Sequence, residues 1–498
     1  MIKNKVESFN YYLLIIFLFY CFTSYFYWDF VYDDTYIYAK YIKNLSNGNG
    51  FCFNIGEISY GCTSLLWAFI GTLFTKIFGD PLLVIKWLSY ISRLFSILIF
   101  YKLSLYLIKD KIYSSLATFS LCITPWFLRD VASGLETNTA IFMILLGCYV
   151  RLREKENNKT GYFSIVLFAF SFLIRPECIL LLFIYFIDVL FIDRSKGFFK
   201  QFFKLALTAI AVILPFQIYA FLTFGSIVPG TIVAKTVVLM SFLKTFKNFI
   251  TILGSSNGLD ILIFFVMIIL SIKKEYRIKN YIRREELFLF IWMISLILTY
   301  LFTRTEVRWR YLAIISPLIT IFAFGALKHI GGLIKMWFGK YTQMIVLIIV
   351  ILLIIQSIAI QFVTMRQLFL QKDFVDLAFI GKWINTNTPK DSIIAVHEIG
   401  AIGYYCNRRI IDTAGLVTPE IIPFMKGENG KTVFNYLHLK KANYFVDIKY
   451  NFFKFKTPEK SNRYLRLIYS KELMTTGGRT LSKPSMSYIY EFNWDNLS

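Results

Sequence analysis

Residues 11–41 read YYLLIIFLFYCFTSYFYWDFVYDDTYIYAKY. An apolar run from Tyr11 to Tyr27 stands behind a basic N-terminus with Lys3 and Lys5, and two adjacent aspartates, Asp33 and Asp34, follow shortly after it. A run of this kind reads as a membrane-crossing helix. It has no small-residue cleavage site, so it is expected to stay as an anchor. Adjacent carboxylates at a bilayer boundary repel each other, and a solvated loop needs neither their pairing nor that depth. Ionisable groups at membrane depth mark functional sites by default. Asp33 and Asp34 are therefore the first candidates for a catalytic acid–base pair, against the plainer reading of a solvated helix end.

The rest of the chain supports a membrane setting. Its 498 residues are 57% hydrophobic and include 52 phenylalanines and 32 tyrosines, and the mean hydropathy is +0.57. Repeated runs of about 18 apolar residues exclude a soluble protein and predict transmembrane helices. The net charge of +23 does not imply nucleic acid, because much of the surplus lies in short loops between apolar runs, where the positive-inside bias accounts for it. The seven cysteines show no Cys-x-x-Cys or Cys/His spacing, so no zinc site is expected. Cys52 and Cys62 share one loop and either pair or remain free thiols.

The basic clusters thread the chain. Lys109/Lys111, Arg151 to Lys159, Arg194 to Lys204, Lys273 to Arg284 and Lys328 to Lys340 are placed in the cytoplasm. Parity then fails if Thr63 to Phe78 spans, because Lys109 would end outside. That segment is also short for a span, so it is predicted to be an amphipathic helix lying on the outer interface. Spans are expected near 11–27, 83–108, 112–128, 138–152, 161–174, 177–192, 204–222, 256–272, 286–303, 311–328 and 342–363, about eleven in all. The N-terminus then lies inside and the C-terminus outside. Residues 236–255 read as a second outer interfacial helix. The expected division is a membrane domain over 1–365, whose outer loop 28–82 carries the aspartates, and a soluble tail over 366–498. The tail has turn residues (Asn385 to Pro389) and short strand-like runs (Ile393–Val396, Tyr444–Val446), which suit a small extracytoplasmic α/β domain.

This threading gathers unusual polar residues on the outer side. They are Asp33, Asp34, Tyr36, Asn54, Glu57, Tyr60 and Thr63 in the first loop, Arg129, Asp130 and Glu136 in the next, Arg175-Pro176-Glu177 in a tight turn, Lys235, and Arg304, Glu306, Arg308 and Arg310. Outward arginines run against the positive-inside bias, and guanidinium is suited to gripping phosphate. Interface snorkelling is the alternative for Arg304, and an internal ion pair with Glu177 the alternative for Arg175. A carboxylate that takes a proton from a hydroxyl, with cations steadying a departing phosphate, amounts to group transfer from a lipid phosphate.

The blocks Asp33-Asp34-Thr35-Tyr36-Ile37-Tyr38, Gly56-Glu57, Tyr60-Gly61 and Thr63-Ser64-Leu65-Leu66-Trp67 resemble the first outer loop of GT-C fold, polyprenyl-phosphate-dependent glycosyltransferases. Further blocks resemble the branch that contains the mycobacterial terminal arabinofuranosyltransferases: Ser133 to Thr137, Ile174 to Glu177, Gly225 to Lys235, Arg310-Tyr311-Leu312, and Gly400 to Leu416 in the tail. Gly230, Cys62 and Cys178 depart from the residues common there. The resemblance implies a mainly α, GT-C-like helix bundle with a C-terminal α/β extracytoplasmic domain in the cell (inner) membrane. It also implies a polyprenyl-phosphate sugar donor, inversion at the anomeric carbon, and an envelope glycan, glycolipid or protein as acceptor. By its register Asp33 is the base and Asp34 the supporting acid, although the reverse order also fits. Arg308, Arg310, Arg175 and Lys235 are the candidates for the donor phosphate. Glu136, Tyr36, Tyr60, Glu57 and His397 are candidates to position substrate, and orienting Arg175 is the alternative for Glu136. Some enzymes of this fold hold a divalent cation on paired carboxylates; with only His397 and His438 as histidines on this side, no metal is assigned. The rival of another class is a lipid-sugar flippase, which should bury ionisable groups and broken helices near the midplane, whereas the charges here are expected to crowd one face. A non-catalytic scaffold or sugar-sensing receptor is the third reading.

Overall fold

The computed structural model describes residues 11–192, 198–232, 241–270, 286–304, 307–338, 373–426, 431–448, 464–473 and 485–497, with scattered positions between 341 and 362. The chain gathers into two compact units. One comprises Met1–Phe30, Ser89–Leu214 and Leu239–Phe362, and the other Val31–Leu88, Pro215–Val238 and Val363–Ser498. The first outer loop thus groups with the tail.

The first unit is helical. Tyr11–Tyr25, Thr137–Glu156, Tyr162–Ile174, Ile179–Ile187 and Leu287–Thr303 follow the expected spans closely. Where the expected span 112–128 lies, the helix Lys111–Ile123 stops at Thr124 and a short helix, Pro125–Arg129, resumes. Pro125 has no N–H to give the helix and pushes Thr124 into an extended conformation (ψ 127°). The start is set by Asp110, whose carboxylate accepts from the backbone N–H of Ile112 (2.9 Å) and Tyr113 (3.1 Å). The expected boundary at 255/256 appears as a break at Asn257 (φ −126°, ψ 25°) inside the helix Phe242–Leu270. Most of the expected span 342–363 and the basic cluster at 273–284 lie outside the described residues. Among the described residues two helices, Pro81–Ile108 and Phe199–Phe224, are long and apolar enough to cross a membrane, and several shorter apolar helices accompany them.

Several charged groups in this unit are buried. Arg151 is fully buried and pairs with Asp188 at 3.0 Å, and Lys155 reaches the same carboxylate at 2.6 Å. Arg93 and Asp260 are also buried in helices. Each of these ionisable groups stands among residues whose average hydropathy hides it.

The second unit is built around a five-stranded sheet of β1 (Ile393–Val396), β2 (Arg409–Asp412), β3 (Tyr444–Ile448), β4 (Leu465–Leu473) and β5 (Ser485–Phe492), in the order β2-β1-β3-β5-β4. β1 pairs in parallel with β2 and β3, and β5 runs antiparallel to β3 and β4. The unbroken apolar run of β1 is what a strand buried on both faces requires. Ala395, Ile411 and Phe445 meet Val433, Leu437 and Phe492 in the core. The helix Ile399–Cys406 leaves β1 and packs on both Asp373–Asn387 and Asp33–Ser46, and the latter packs on Leu65–Phe78. Leu65–Phe78 is the helix expected over 63–78. It starts at Ser64, whose hydroxyl accepts from Trp67 N–H, and stops at Gly79 with φ +93°. Its 14 residues reach about 21 Å at ~1.5 Å per residue, short of a ~30 Å hydrocarbon core.

Candidate active site

Asp33 opens the helix Asp33–Ser46, with Asp34 beside it in the first turn. Both carboxylate oxygens of Asp33 are held. Oδ2 accepts from the Gly400 backbone N–H and Oδ1 from that of Ala401, each at 2.8 Å. Those amides are the first turn of the helix that follows β1. A helix N-terminus presents free N–H groups and a positive dipole end, an anion site, and here the anion is supplied by the chain itself. Gly400 makes the approach feasible, since a β-carbon there would fall 2.0 Å from the Asp33 carbonyl oxygen. Removal from water pushes the Asp33 carboxyl up, to about 8, and the charges of Glu398 and Asp34 push the same way against the two N–H donors.

Neighbouring first-loop candidates are tied to the tail. Asn54 brackets Ile410, donating to its carbonyl and accepting from its N–H, both at 2.9 Å. Glu57 pairs with Arg409 at 2.5 Å, and both side chains are nearly half exposed. Tyr36 is buried against Tyr404 and Tyr405 (5.8 Å each). Tyr60 stacks on Phe224 at 4.4 Å, and its carbonyl accepts from Gly230 N–H at 2.9 Å. His397 directly follows β1 and lies close enough to the buried Asp412 for an electrostatic interaction. Asp412 is a loop brace: its carboxylate accepts from the N–H groups of Ala414 (2.7 Å), Leu416 (2.5 Å) and Val417 (3.0 Å). Burial pushes it up to about 6 against those donors. Cys52 and Cys62 are not joined in a disulfide. Among the described residues no three His, Cys, Asp or Glu side chains gather to hold an ion.

The first unit holds the arginines. Arg175 is buried and committed: to Glu136 at 3.2 Å, to Glu177 at 2.6 Å and to the Thr137 hydroxyl at 2.7 Å. Its guanidinium is therefore neutralised by two carboxylates, and Glu136 orients Arg175. Arg310 is buried close enough for its charge to act on Arg175, and Arg175 lies 5.5 Å from the Tyr311 ring. Arg308 precedes the short helix Trp309–Leu312. Lys235 and Glu306 lie outside the described residues.

Sequence reasoning missed the partners of Asp33, although the Gly400-Ala401 block was visible; nothing in it announced that its amides meet residue 33. It also missed Arg93. The available signal was an arginine midway along an apolar run.

A protein family described as dolichyl-phosphate-mannose-protein mannosyltransferase matches residues 63–219. A domain family of unknown function matches residues 366–486. No curated protein matches the chain in sequence. The fold is similar to that of the apo Archaeoglobus fulgidus oligosaccharyltransferase (TM-score 0.61, 12% identity, covering 95% of this chain and 75% of that one). It is also similar to AglB from the same archaeon in complex with an inhibitory peptide and dolichol-phosphate (0.57, 14%, 95% and 74%). A third likeness is to ArnT from Cupriavidus metallidurans bound to undecaprenyl phosphate (0.58, 11%, 96% and 97%). At these identities the structural likeness is one of fold. The family match covers about a third of the chain, residues 63–219 of 498.

Proposed function

We propose that this chain is an inverting glycosyltransferase that moves a sugar from a polyprenyl-phosphate donor to an extracytoplasmic hydroxyl acceptor in a cell-envelope glycan, a glycolipid or a protein. The observation that carries the reading is Asp33: a carboxylate fixed by two backbone amides and raised to about 8. A general base works best when its affinity for protons lies near the working pH and its position is fixed. In the reaction the acceptor oxygen attacks the anomeric carbon from the face opposite the phosphate. The bond from that carbon to the phosphate oxygen breaks, the hydroxyl proton passes to Asp33, and polyprenyl phosphate leaves with the electron pair. Asp34 supports Asp33. Arg308 and Arg310, with Lys235, steady the phosphate, and Arg175 and Glu136 keep that region in shape. Tyr36, Tyr60, Glu57 and His397 border the acceptor. The motif likeness favours the arabinofuranosyl branch, with about eleven spans, a cytoplasmic N-terminus and an extracytoplasmic tail. Dolichol-phosphate and undecaprenyl phosphate on the two solved relatives support a long-chain prenyl phosphate as the carrier.

A second reading, a lipid-sugar flippase, gains support from the helix break at Asn257 and the buried Arg93 and Asp260, features that transporters place within the bilayer. Purified protein in nanodiscs with a radiolabelled prenyl-phosphate sugar separates the two. A glycosidic product lost in Asp33→Asn supports transfer. Translocation without product supports the flippase.

A further inference from the structure

Lys40 is a charge that the glycosyl-transfer reading leaves unused. It lies in the helix Asp33–Ser46 and is only 8% exposed. Counting seven residues on from Asp33 is close to two helical turns, so Lys40 stands on the same face, about 10 Å further along the axis. This helix packs on Ile399–Cys406. Asp33 meets the amides of Gly400 and Ala401, and Tyr36 meets Tyr404 and Tyr405. Lys40 comes next, near Cys406, and the Lys43 ammonium stands 5.5 Å from the Tyr404 ring. Lys382, from the helix Asp373–Asn387, lies 5.0 Å from the Tyr405 ring.

The Lys40 ammonium has no counter-ion among the described residues. The groups whose charge reaches it are Cys406, Lys43 and Cys52. Burial pushes both thiols up, so neither is an anion at neutral pH, and Lys43 repels it. Burial also pulls Lys40 below the usual lysine value. Its nitrogen is not one of the sealed, unmatched polar atoms of the interior, so the stem is packed away while the tip reaches the surface. Asp80 is the carboxylate that acts on Tyr404 and Tyr405, and it is already taken up by the N–H groups of Leu82 (2.8 Å) and Leu83 (3.1 Å). A largely buried ammonium without a partner costs stability, and an apolar side chain would pack there at less cost. What completes it is an oxyanion, which brings negative charge and lone pairs for the three N–H donors of an ammonium. Because Lys40 shares its helix pair with Asp33, the occupant is the molecule whose hydroxyl approaches Asp33.

We propose that Lys40, assisted by Lys43, is a specificity-determining subsite that takes an oxyanion, phosphate or carboxylate, carried by the acceptor glycan. That the occupant is an acceptor rests on the glycosyltransferase reading above; the anion binding is read without turnover. The experiment uses the full chain in phosphatidylcholine nanodiscs, as wild type, Lys40→Met, Lys40→Arg and Lys43→Met. The probes are two matched pairs: a glycerol-phosphate oligomer with uncharged oligoglycerol, and oligogalacturonate with its methyl ester. A charged probe should bind the wild type more tightly than its uncharged partner, and the pair that shows the preference names the oxyanion. Lys40→Met should weaken the charged probe by roughly 10-fold or more, Lys40→Arg should restore most of that loss, and Lys43→Met should lose less. Lys40→Met should also melt higher than wild type, because it removes an uncompensated ammonium, an effect opposite to that of deleting a structural contact. Amine acylation read by mass spectrometry should label Lys40, and the charged probe should slow the labelling. The proposal is overturned if neither charged probe outbinds its partner, if Lys40→Met binds like wild type or unfolds more easily, if Lys40 is not labelled, or if phosphatidylglycerol in the disc protects it and no glycan does. Lys40-dependent anion binding in a protein without transferase activity would leave the subsite standing and remove the function proposed above. Transferase activity without Lys40-dependent anion binding would do the reverse.

Discussion

Gly400→Ala tests the coupling between Asp33 and the tail. An added β-carbon would sit 2.0 Å from the Asp33 carbonyl oxygen, 2.5 Å from its Cγ and 2.6 Å from its Oδ1. Two of these atoms belong to the carboxyl group and one to the backbone, so no side-chain rotation relieves all three. Relief requires a shift on the order of 1 Å, which takes the two 2.8 Å hydrogen bonds past the ~3.2 Å limit of a good N–H···O bond. A hydrogen bond to a charged group is worth about 1.5–3 kcal/mol and overpacking costs about 1–3 kcal/mol. Since these do not add fully, at least about 3 kcal/mol should be lost above pH 8, where the carboxylate is charged. A catalytic group displaced by about 1 Å costs roughly 100-fold in rate. The assay is melting in detergent beside turnover of a prenyl-phosphate sugar, with Gly254→Ala as control because a β-carbon there meets nothing within 4 Å and the residue lies within a helix. A Gly400→Ala protein that melts like wild type and turns over within about twofold of it would refute the reasoning.

The raised Asp33 carboxyl, at about 8, sets a pH dependence. The base must be ionised, so kcat/KM should climb with pH through about 8 and then level. The folded state binds this proton more tightly than the unfolded chain, so its stabilising contribution is present below about pH 4 and is lost as pH rises through about 8; a pH titration of both quantities checks the pair. Because Glu398 helps to raise Asp33, Glu398→Gln should move the rate limb to lower pH, and an unmoved limb would separate the two groups. Arg175→Gln should strip the buried Glu136 of its cation and cost about 3–5 kcal/mol in a denaturation curve. Arg308→Gln and Arg310→Gln should each raise the donor KM by roughly 10- to 100-fold, the equivalent of one charge-assisted hydrogen bond, with melting little changed for the exposed Arg308; an unchanged KM would remove them from the phosphate.

Much of the helix placement was legible because long apolar runs leave few choices. The apolar runs located most helices, and a helix expected over 63–78 is present as Leu65–Phe78. Short-range chemistry was less visible. Pro125 is an obvious breaker, yet the apolar residues on both sides of it read as one span. Asn257 breaks a helix through its own backbone conformation, which hydropathy does not register. At the candidate site, residue types at sequence blocks were readable and their pairings were not. Asp33 and Gly400 are separated by 367 positions, and only the fold shows that one carboxylate fills the helix terminus left by the other segment. Arg175 is the exception: pairing with Glu177 and orientation by Glu136 were both readable alternatives, and both carboxylates hold it.

The most direct test of the central claim is single-turnover transfer by pure protein in nanodiscs, comparing wild type with Asp33→Asn and Asp34→Asn. The account predicts a glycosidic product and released prenyl phosphate from the wild type, with Asp33→Asn slower by about 100-fold or more, the usual contribution of a general base. Full turnover by both folded variants, or translocation of donor with no glycosidic bond formed, would contradict it.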